Sequence, residues 1–241
     1  MGPMGYDKLT DPLGIARVIM ELAGGLAELG YTVSTTEDLG QFAVLKKELR
    51  GERPTPYFDA SVNDVTPGRF FWMQLQDAGG KPVGIQAFRL DRIESNLADW
   101  CATYTIGLYM RRQEMLVPLH PAPPRGSLSE RLKGRLVYHG ELWIDAQIRN
   151  RRVNEKFGRL GLLLGMVRWN PDAIWALASQ SMATHGHLNR MGYAFLERGF
   201  FRWQWVSDGI DPVEWIAVSQ RPNLEQMVEE MLTTPQQSRL A

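Results

Sequence analysis

The residues with the clearest chemical potential lie in one stretch, where an apolar strand pattern leads into a cluster of arginines. The stretch reads Gly140-Glu-Leu-Trp-Ile-Asp-Ala-Gln-Ile-Arg-Asn-Arg-Arg-Val-Asn154, and a helical pattern starts inside it. Its basic side chains are Arg149, Arg151, Arg152, Lys156 and Arg159, against the single acidic Glu155. Cations at a helix N-terminus are unfavourable unless an anion offsets them, and free N–H groups there bind phosphates. We therefore expect an anion at this turn; the alternative is a solvated basic turn.

Four side chains on the preceding strand repeat with a period of two. They are His139, Glu141, Trp143 and Asp145. Alternation predicts that they share one face of the strand, so that two carboxylates and a histidine point into one cleft. Glu141 is the leading candidate for a general base, because a carboxylate on an otherwise apolar strand is costly to bury. The alternative is a structural ion pair with Arg135 or Arg89.

Two other polar pairs do not predict a site of their own. His185 and His187 are two residues apart, and such residues do not share a helical face, so we expect no metal. Ser179 and Ser181 follow an apolar strand pattern without the Gly-x-Ser-x-Gly turn that exposes a hydrolase nucleophile.

Composition limits the classes of function. The chain has 241 residues, is 44% hydrophobic and balances 27 Lys and Arg against 27 Asp and Glu, which argues against a general nucleic-acid binder. A single cysteine, Cys101, indicates a reducing compartment. No signal-peptide pattern and no run near 18 apolar residues occurs. We expect a cytoplasmic protein without a nucleic-acid or membrane partner, and a homodimer through the tryptophans at 203, 205 and 215.

Helical and strand patterns alternate along the chain. A helix is predicted from Asp11-Pro12 to Gly30, and a second from Thr35 or Thr36, with capping-box spacing to Asp38, to Gly51. A hairpin is predicted over 70–76 and 83–90, followed by a helix over 96–111, a proline-rich loop over 118–124 and a strand over 136–146. The arginine cluster then opens a helix that ends near Asn170-Pro-Asp172. After it we predict a buried strand over 173–178, a short helix over 184–191, strands over 194–206 and 213–218, and a helix over 223–232.

This order of elements resembles the GNAT (N-acetyltransferase-like) acyltransferase superfamily over residues 69 to 218. The anchors are Gly80-Lys-Pro-Val-Gly84, Gly140-Glu-Leu-Trp-Ile-Asp145 with the arginine turn, and His187-Leu-Asn-Arg-Met-Gly-Tyr193. The resemblance implies an α/β (α+β) fold, with a mixed, mostly antiparallel twisted sheet, a central parallel pair and flanking helices. It implies a single domain over 1–241, with N-terminal helices in 1–60, the core over 69–218 and a C-terminal helix over 223–232.

The resemblance also implies acetyl-CoA or another acyl-CoA as co-substrate and no metal. The family's turn, Gln/Arg-x-x-Gly-x-Gly/Ala, binds pyrophosphate through backbone amides. Here Arg152 and Asn154 stand at its two glycine positions, where side-chain hydrogen bonds from arginine can replace close backbone approach. The implied cofactor-binding residues are Trp143, Ile144, Arg149, Arg151, Arg152, Asn154 and Ser181, with Gln180 beside the pantetheine arm.

The implied function is an acyl-CoA-dependent N-acyltransferase that transfers an acetyl or longer acyl group to an amine of a small molecule or peptide. Its catalytic candidates are Glu141, Asp145 and His139. The position of the family's acidic tyrosine is occupied by Leu188, and Tyr193 takes that of a structural aromatic. The alternative is a non-catalytic binding or regulatory module of the same fold, which has lost the usual coenzyme A turn.

Overall fold

The computed structural model describes residues 9–112, 118–121, 123–148, 151–203 and 212–233, with the backbone alone at 118–121 and 151. The strands are β1 (Thr32–Thr36), β2 (Phe70–Gln76), β3 (Pro82–Ile93), β4 (Pro118–Pro121), β5 (Gly134–Ile144), β6 (Ala173–Ala178), β7 (Phe195–Trp203) and β8 (Val213–Gln220). The helices are α1 (Pro12–Ala27), α2 (Leu39–Arg50), α3 (Leu97–Trp100), α4 (Ile106–Arg112), α5 (Arg151–Trp169), α6 (Gln180–Thr184), α7 (His187–Met191) and α8 (Arg221–Thr233).

The described strands form one sheet in the order β1-β2-β3-β5-β6-β8-β7-β4. Strands β5 and β6 pair in parallel at its centre, and every other neighbouring pair described is antiparallel. A parallel pair needs a crossover connection, and α5 supplies it between β5 and β6. The predicted fold class is therefore confirmed.

The N-terminal part of the chain differs from its prediction at one element. Helix α1 starts as predicted, with Pro12 in its first turn and the Asp11 side chain accepting a hydrogen bond from Gly14 N at 2.9 Å. The second helix starts later than predicted: Asp38 is its N-cap and Thr32–Thr36 form the edge strand β1 beside β2. Threonine is common both in caps and in strands, and pairing with β2 decides between the two.

The middle of the chain follows its prediction except at the prolines. The hairpin forms, and the helix predicted over 96–111 is continuous through a π-helical turn at Cys101–Thr105. The predicted proline-rich loop is wrong at Pro118–Pro121, because these residues form β4 beside β7. They lie at the end of the sheet order, and prolines are tolerated in an edge strand. The short helix predicted over 184–191 is two helices, α6 and α7.

Helices cover both faces of the sheet, and each face has its own apolar core. We name the faces after one covering helix each. The α5 face packs against α1, α5 and α8, with Val18, Phe88, Val137, Leu163 and Leu224 in its core. The α2 face packs against α2 and α3, with Phe42, Trp72, Tyr138, Trp175 and Ile216 in its core.

Helix α5 packs directly on the sheet at Gly161. A Cβ at Gly161 would stand 2.6 Å from both the Gln86 side-chain oxygen and the Phe88 ring, so only glycine fits there. Gln86 donates from Nε2 to the Phe157 carbonyl at 2.7 Å, which ties the helix to β3. This packing fixes where the N-terminus of α5 emerges, beside the carboxyl end of β5.

Three features of the described residues concern membranes, metals and thiols. None of the described helices is both long enough and apolar enough to cross a membrane. Within the same residues, no group of three or more His, Cys, Asp or Glu side chains could hold a metal ion. Burial raises the pKa of Cys101 to about 12, so its thiol packs as an apolar side chain.

Candidate functional site

The central parallel pair opens at its carboxyl end. Strands β5 and β6 pair only from Leu136 with Ala173 to Tyr138 with Trp175. Beyond Tyr138, β5 keeps β3 as its described partner, while β6 continues to Ala178 beside β8. The two strands therefore part beyond Tyr138, and we call the region between their carboxyl ends the slot.

A β-bulge lies where β5 borders the slot. Ala87 of β3 pairs with Gly140 and Ile85 pairs with Trp143, so two residues of β5 stand against one of β3. Glu141 is the bulge residue with a left-handed backbone. Its φ is 59°, a conformation that non-glycine residues seldom adopt. Backbone strain of this kind costs on the order of 1–3 kcal/mol and persists only where its surroundings hold it.

The bulge divides the four residues that were predicted to share a face. His139 lies on the α5 face, stacked on Phe88 at 4.4 Å, whereas Trp143 packs on the α2 face. Glu141 also lies on the α2 face, where it meets Lys46 of α2. The prediction of one shared face is wrong, because the extra residue of the bulge shifts the alternation by one.

Glu141 is held by two donors. Its side chain is 5% exposed and forms an ion pair with Lys46, whose side chain is 6% exposed. Thr55 N donates a hydrogen bond of 2.5 Å to the other carboxylate oxygen. The predicted alternative, an ion pair, is therefore present with a different cation. Arg89 instead pairs with Asp91 at 2.7 Å, and Arg135 is exposed.

His139 is buried with Tyr193. Its Nδ1 lies 2.8 Å from the Tyr193 hydroxyl, and no described residue hydrogen-bonds its Nε2. Burial lowers the pKa of His139 to about 3 and raises that of Tyr193 well above its ordinary value. Both side chains are neutral near pH 7. They lie on the α5 face, whereas Glu141 lies on the α2 face of the sheet.

Asp145 shapes the chain between β5 and α5. Its Oδ1 accepts a hydrogen bond from Gln147 N at 2.9 Å, and its own N–H donates to the Val83 carbonyl at 2.8 Å. A carboxylate that bonds the backbone two residues on forms an Asx turn. Asp145 thus ends the strand and starts the turn that leads to the helix. Ile144, just before it, is buried in the α5-face core.

The basic cluster disperses once the helix is built. Arg159 donates from Nε to the Arg190 carbonyl at 2.8 Å, and the Lys156 ammonium lies over Gly25 of α1. Arg152 is exposed near the start of α5. Arg149 and the side chain of Arg151 lie outside the described residues. Of the predicted anion ligands that the structure describes, Arg152 is the exposed cation in the first turn of α5.

The other predicted cofactor residues lie on the helices that follow β5 and β6. Asn154 is half-buried in the first turns of α5, and no described residue hydrogen-bonds its buried side-chain oxygen. Ser181 is exposed in α6. The Gln180 side-chain oxygen accepts from Trp215 Nε1 at 2.8 Å, so that side chain fastens α6 to β8.

Sequence reasoning missed two residues beside the slot. Tyr138 is buried on the α2 face; burial raises its pKa well above the ordinary value, and nearby Tyr109, Glu214 and Glu141 raise it further. Burial also raises the pKa of Glu214 to about 7, against a hydrogen bond from Trp203 that lowers it. The available signal was a carboxylate at 214 inside an apolar strand pattern.

Two surface grooves are present among the described residues. One, of about 480 Å³, is lined by residues that include Asp64, Arg92 and Tyr104. The other, of about 320 Å³, lies beside α2 and includes Val44 and Phe58. The strand pairing and the placement of charged groups locate the candidate site.

No known family model matches the sequence, and no curated protein matches it. Solved structures are similar to it at low identity. NAA60 from Arabidopsis thaliana with acetyl-CoA is 14% identical with a TM-score of 0.43, over 79% of this chain and 99% of that one. A chimera of Vibrio cholerae spermidine N-acetyltransferase SpeG and hSSAT is 13% identical with a TM-score of 0.47, over 81% and 98%. A GNAT-family acetyltransferase from Streptococcus pneumoniae is 8% identical with a TM-score of 0.45, over 79% and 99%.

The chain has a GNAT-like fold. Its own sheet order, with the parallel pair at the centre and α5 as the crossover, establishes this in the positions that the resemblance predicted. Similarities at these scores add nothing about activity.

Proposed function

We propose that the chain is an acyl-CoA-dependent N-acyltransferase, which transfers an acetyl or longer acyl group to an amine of a small molecule or peptide. The observation that carries the proposal is the parted parallel pair. Beyond Tyr138 the edge of β5 that faces the slot has no β6 ladder opposite it. Backbone groups of a strand edge hydrogen-bond an extended amide chain readily, and the pantetheine arm of coenzyme A is such a chain. In this proposal the arm lies along β5 at Trp143 and Ile144, and Ser181 borders it from α6.

The start of α5 suits the charged end of the co-substrate. Nineteen-residue α5 begins at Arg151, beyond the turn that Asp145 starts, and the N-terminal end of a helix carries partial positive charge. A pyrophosphate placed there gains from the helix dipole and from the Arg152 guanidinium. Arg149, Arg151 and Asn154 belong to the same proposed phosphate site.

The bulge is suited to the thioester end of the acyl-CoA. At a bulge the backbone N–H groups leave the regular ladder and can be aimed elsewhere. An N–H aimed at the thioester oxygen would stabilise the negative charge that forms there when an amine attacks the carbonyl carbon. Lys46 and Glu141 hold the bulge in place from the α2 face.

A second function has its own supporting observation. Arg152 and Asn154 carry side chains where glycine lets phosphate reach the backbone. A non-catalytic binding or regulatory module would keep the sheet and lose this site. The two functions differ in whether the chain binds an acyl-CoA.

Titration calorimetry with acetyl-CoA and longer acyl-CoAs tests the proposal. We expect micromolar binding that Arg152→Glu weakens about 10-fold, because reversing one exposed charge beside phosphate removes about 1.4 kcal/mol. Arg135→Glu is the matched control, since this exposed arginine lies near the opposite end of β5. Absence of binding to every acyl-CoA would overturn the transferase and favour the binding module.

Two further predictions stay open under this function. A cytoplasmic setting rests on the single cysteine and the sequence composition. A homodimer through the last strands rests on their tryptophans; Trp203 and Trp215 are described, and Trp205 lies outside the described residues.

A further inference from the structure

The acceptor side of the slot has a carboxylate on β8. Glu214 pairs with Phe201 of β7, one residue beyond the last pair of β8 with β6, which joins Trp215 to Ala178. It therefore lies at the carboxyl end of β6, the end at which β5 and β6 part.

Glu214 points to the α2 face. Alternating residues of β8 show this, since Ile216 and Val218 belong to the α2-face core whereas Ala217 belongs to the α5-face core. Tyr138, the last residue of β5 that pairs with β6, is close enough for its pKa to respond to Glu214. Glu214 thus faces the opening of the slot from the next strand but one.

The Glu214 carboxylate is only partly satisfied. Trp203 donates one hydrogen bond to it, while its Oε2 is buried and no described residue bonds to it. A buried carboxylate oxygen without a donor is costly, and functional sites are where such costs are retained. An ammonium group supplies the missing donor and the missing positive charge together.

Glu141 differs from Glu214 in this respect. Its two oxygens already accept hydrogen bonds from Lys46 and Thr55 N. A carboxylate engaged in this way holds α2 against the bulge and is badly placed to take a proton from a substrate. Glu141 acts as a positioning residue, and His139 and Asp145 act through packing and the turn.

We infer that Glu214 binds the ammonium group of the acceptor amine and takes its proton, an inference that rests on the proposed acyltransferase function. The ammonium loses one proton to the Glu214 carboxylate, and the nitrogen lone pair then forms the C–N bond to the thioester carbon. The C–S bond breaks with its electron pair on sulfur. The second nitrogen proton ends on that sulfur, which yields the amide and free coenzyme A. Glu214 returns its proton to water.

Carboxyl NMR of protein labelled with ¹³C in its glutamate side chains tests the inference, with n-butylammonium as the probe and coenzyme A present. Glu214→Gln identifies the Glu214 resonance. We expect this resonance to shift saturably with n-butylammonium but not with n-butanol, and Glu214→Gln to weaken the amine's affinity about 10-fold or more. Glu197→Gln is the matched control, because Glu197 lies on neighbouring β7 and already accepts from Ser127.

Acylation of n-butylamine by acetyl-CoA adds a kinetic readout. We expect Glu214→Gln to lower kcat/KM by about 10²- to 10³-fold, while coenzyme A affinity stays unchanged. An unshifted Glu214 resonance, or equal amine affinity in Glu214→Gln, overturns the assignment even if coenzyme A binds. Failure of the unaltered protein to bind coenzyme A and acyl-CoAs overturns the proposed function and the inference with it.

Discussion

The ion pair between Lys46 and Glu141 gives the sharpest test of how the bulge is held. Replacing Lys46 with methionine keeps the length and apolar stem of the side chain and removes its charge. Glu141, with 5% of its side chain exposed, would remain as a buried carboxylate with Thr55 N as its described donor. Breaking a buried pair by removing one partner costs about 3–5 kcal/mol, and the remaining hydrogen bond favours the lower value of about 3 kcal/mol.

Urea unfolding at pH 7 measures this cost. For a chain of 241 residues, a loss of about 3 kcal/mol lowers Tm by roughly 6–12 °C. The double variant Lys46→Met with Glu141→Gln is expected to recover more than half of the loss, because no uncompensated charge then remains buried.

An exposed pair provides the matched control. Arg50 and Glu52 lie 3.0 Å apart with side chains 39% and 53% exposed, so Arg50→Met is expected to cost below about 1 kcal/mol. If Lys46→Met costs no more than this control, the ion pair does not hold the bulge, and the strain at Glu141 must be supported by other contacts.

Three further perturbations test the buried groups around the slot. The pKa of His139 falls from about 6.5 in the unfolded chain to about 3 in the folded one, so its contribution to stability is lost as pH falls below 6.5. His139→Phe should therefore gain about 2–3 kcal/mol relative to the unaltered protein between pH 7 and pH 4.5, measured by urea unfolding. The pKa of Glu214 rises from about 4.3 when unfolded to about 7 when folded, so stability is lost as pH rises through that window. Between pH 4 and pH 8, Glu214→Gln should therefore gain about 3 kcal/mol relative to the unaltered protein, measured by urea unfolding, and equal changes in the two proteins would contradict this. Gly161→Ala should cost about 1–3 kcal/mol by thermal unfolding, since its methyl group meets Gln86 and Phe88, whereas exposed Gly24→Ala should not destabilise.

The periodicity of apolar residues was sufficient to predict the elements that bury one face, or both faces, along their whole length. The apolar residues of α1 and α5 and the uniformly buried β6 follow their patterns in the structure. Strand β1 escaped prediction because Thr32–Thr36 is a polar edge strand, and its pairing with β2 is not a local property of the sequence.

The candidate site was harder to predict than the fold. A positive φ at Glu141 has no sequence signal, yet it decides which face each later residue of β5 takes. The contacts of the Lys156 and Arg159 side chains are made with α1 and with Arg190, which are distant in sequence. Glu214 was overlooked because its importance comes from the parting of two strands to which it does not belong.

The bulge at Gly140 and Glu141 also limits how this strand can change in length. Because the bulge adds one residue to the count, deleting Glu141 would restore a regular ladder with β3 and leave Leu142, Trp143 and Ile144 on their present faces. Deleting Trp143 instead would turn the buried Ile144 towards α2. A one-residue deletion in this half of β5 is therefore compatible with the fold at the bulge, whereas elsewhere it needs a second change that restores the alternation.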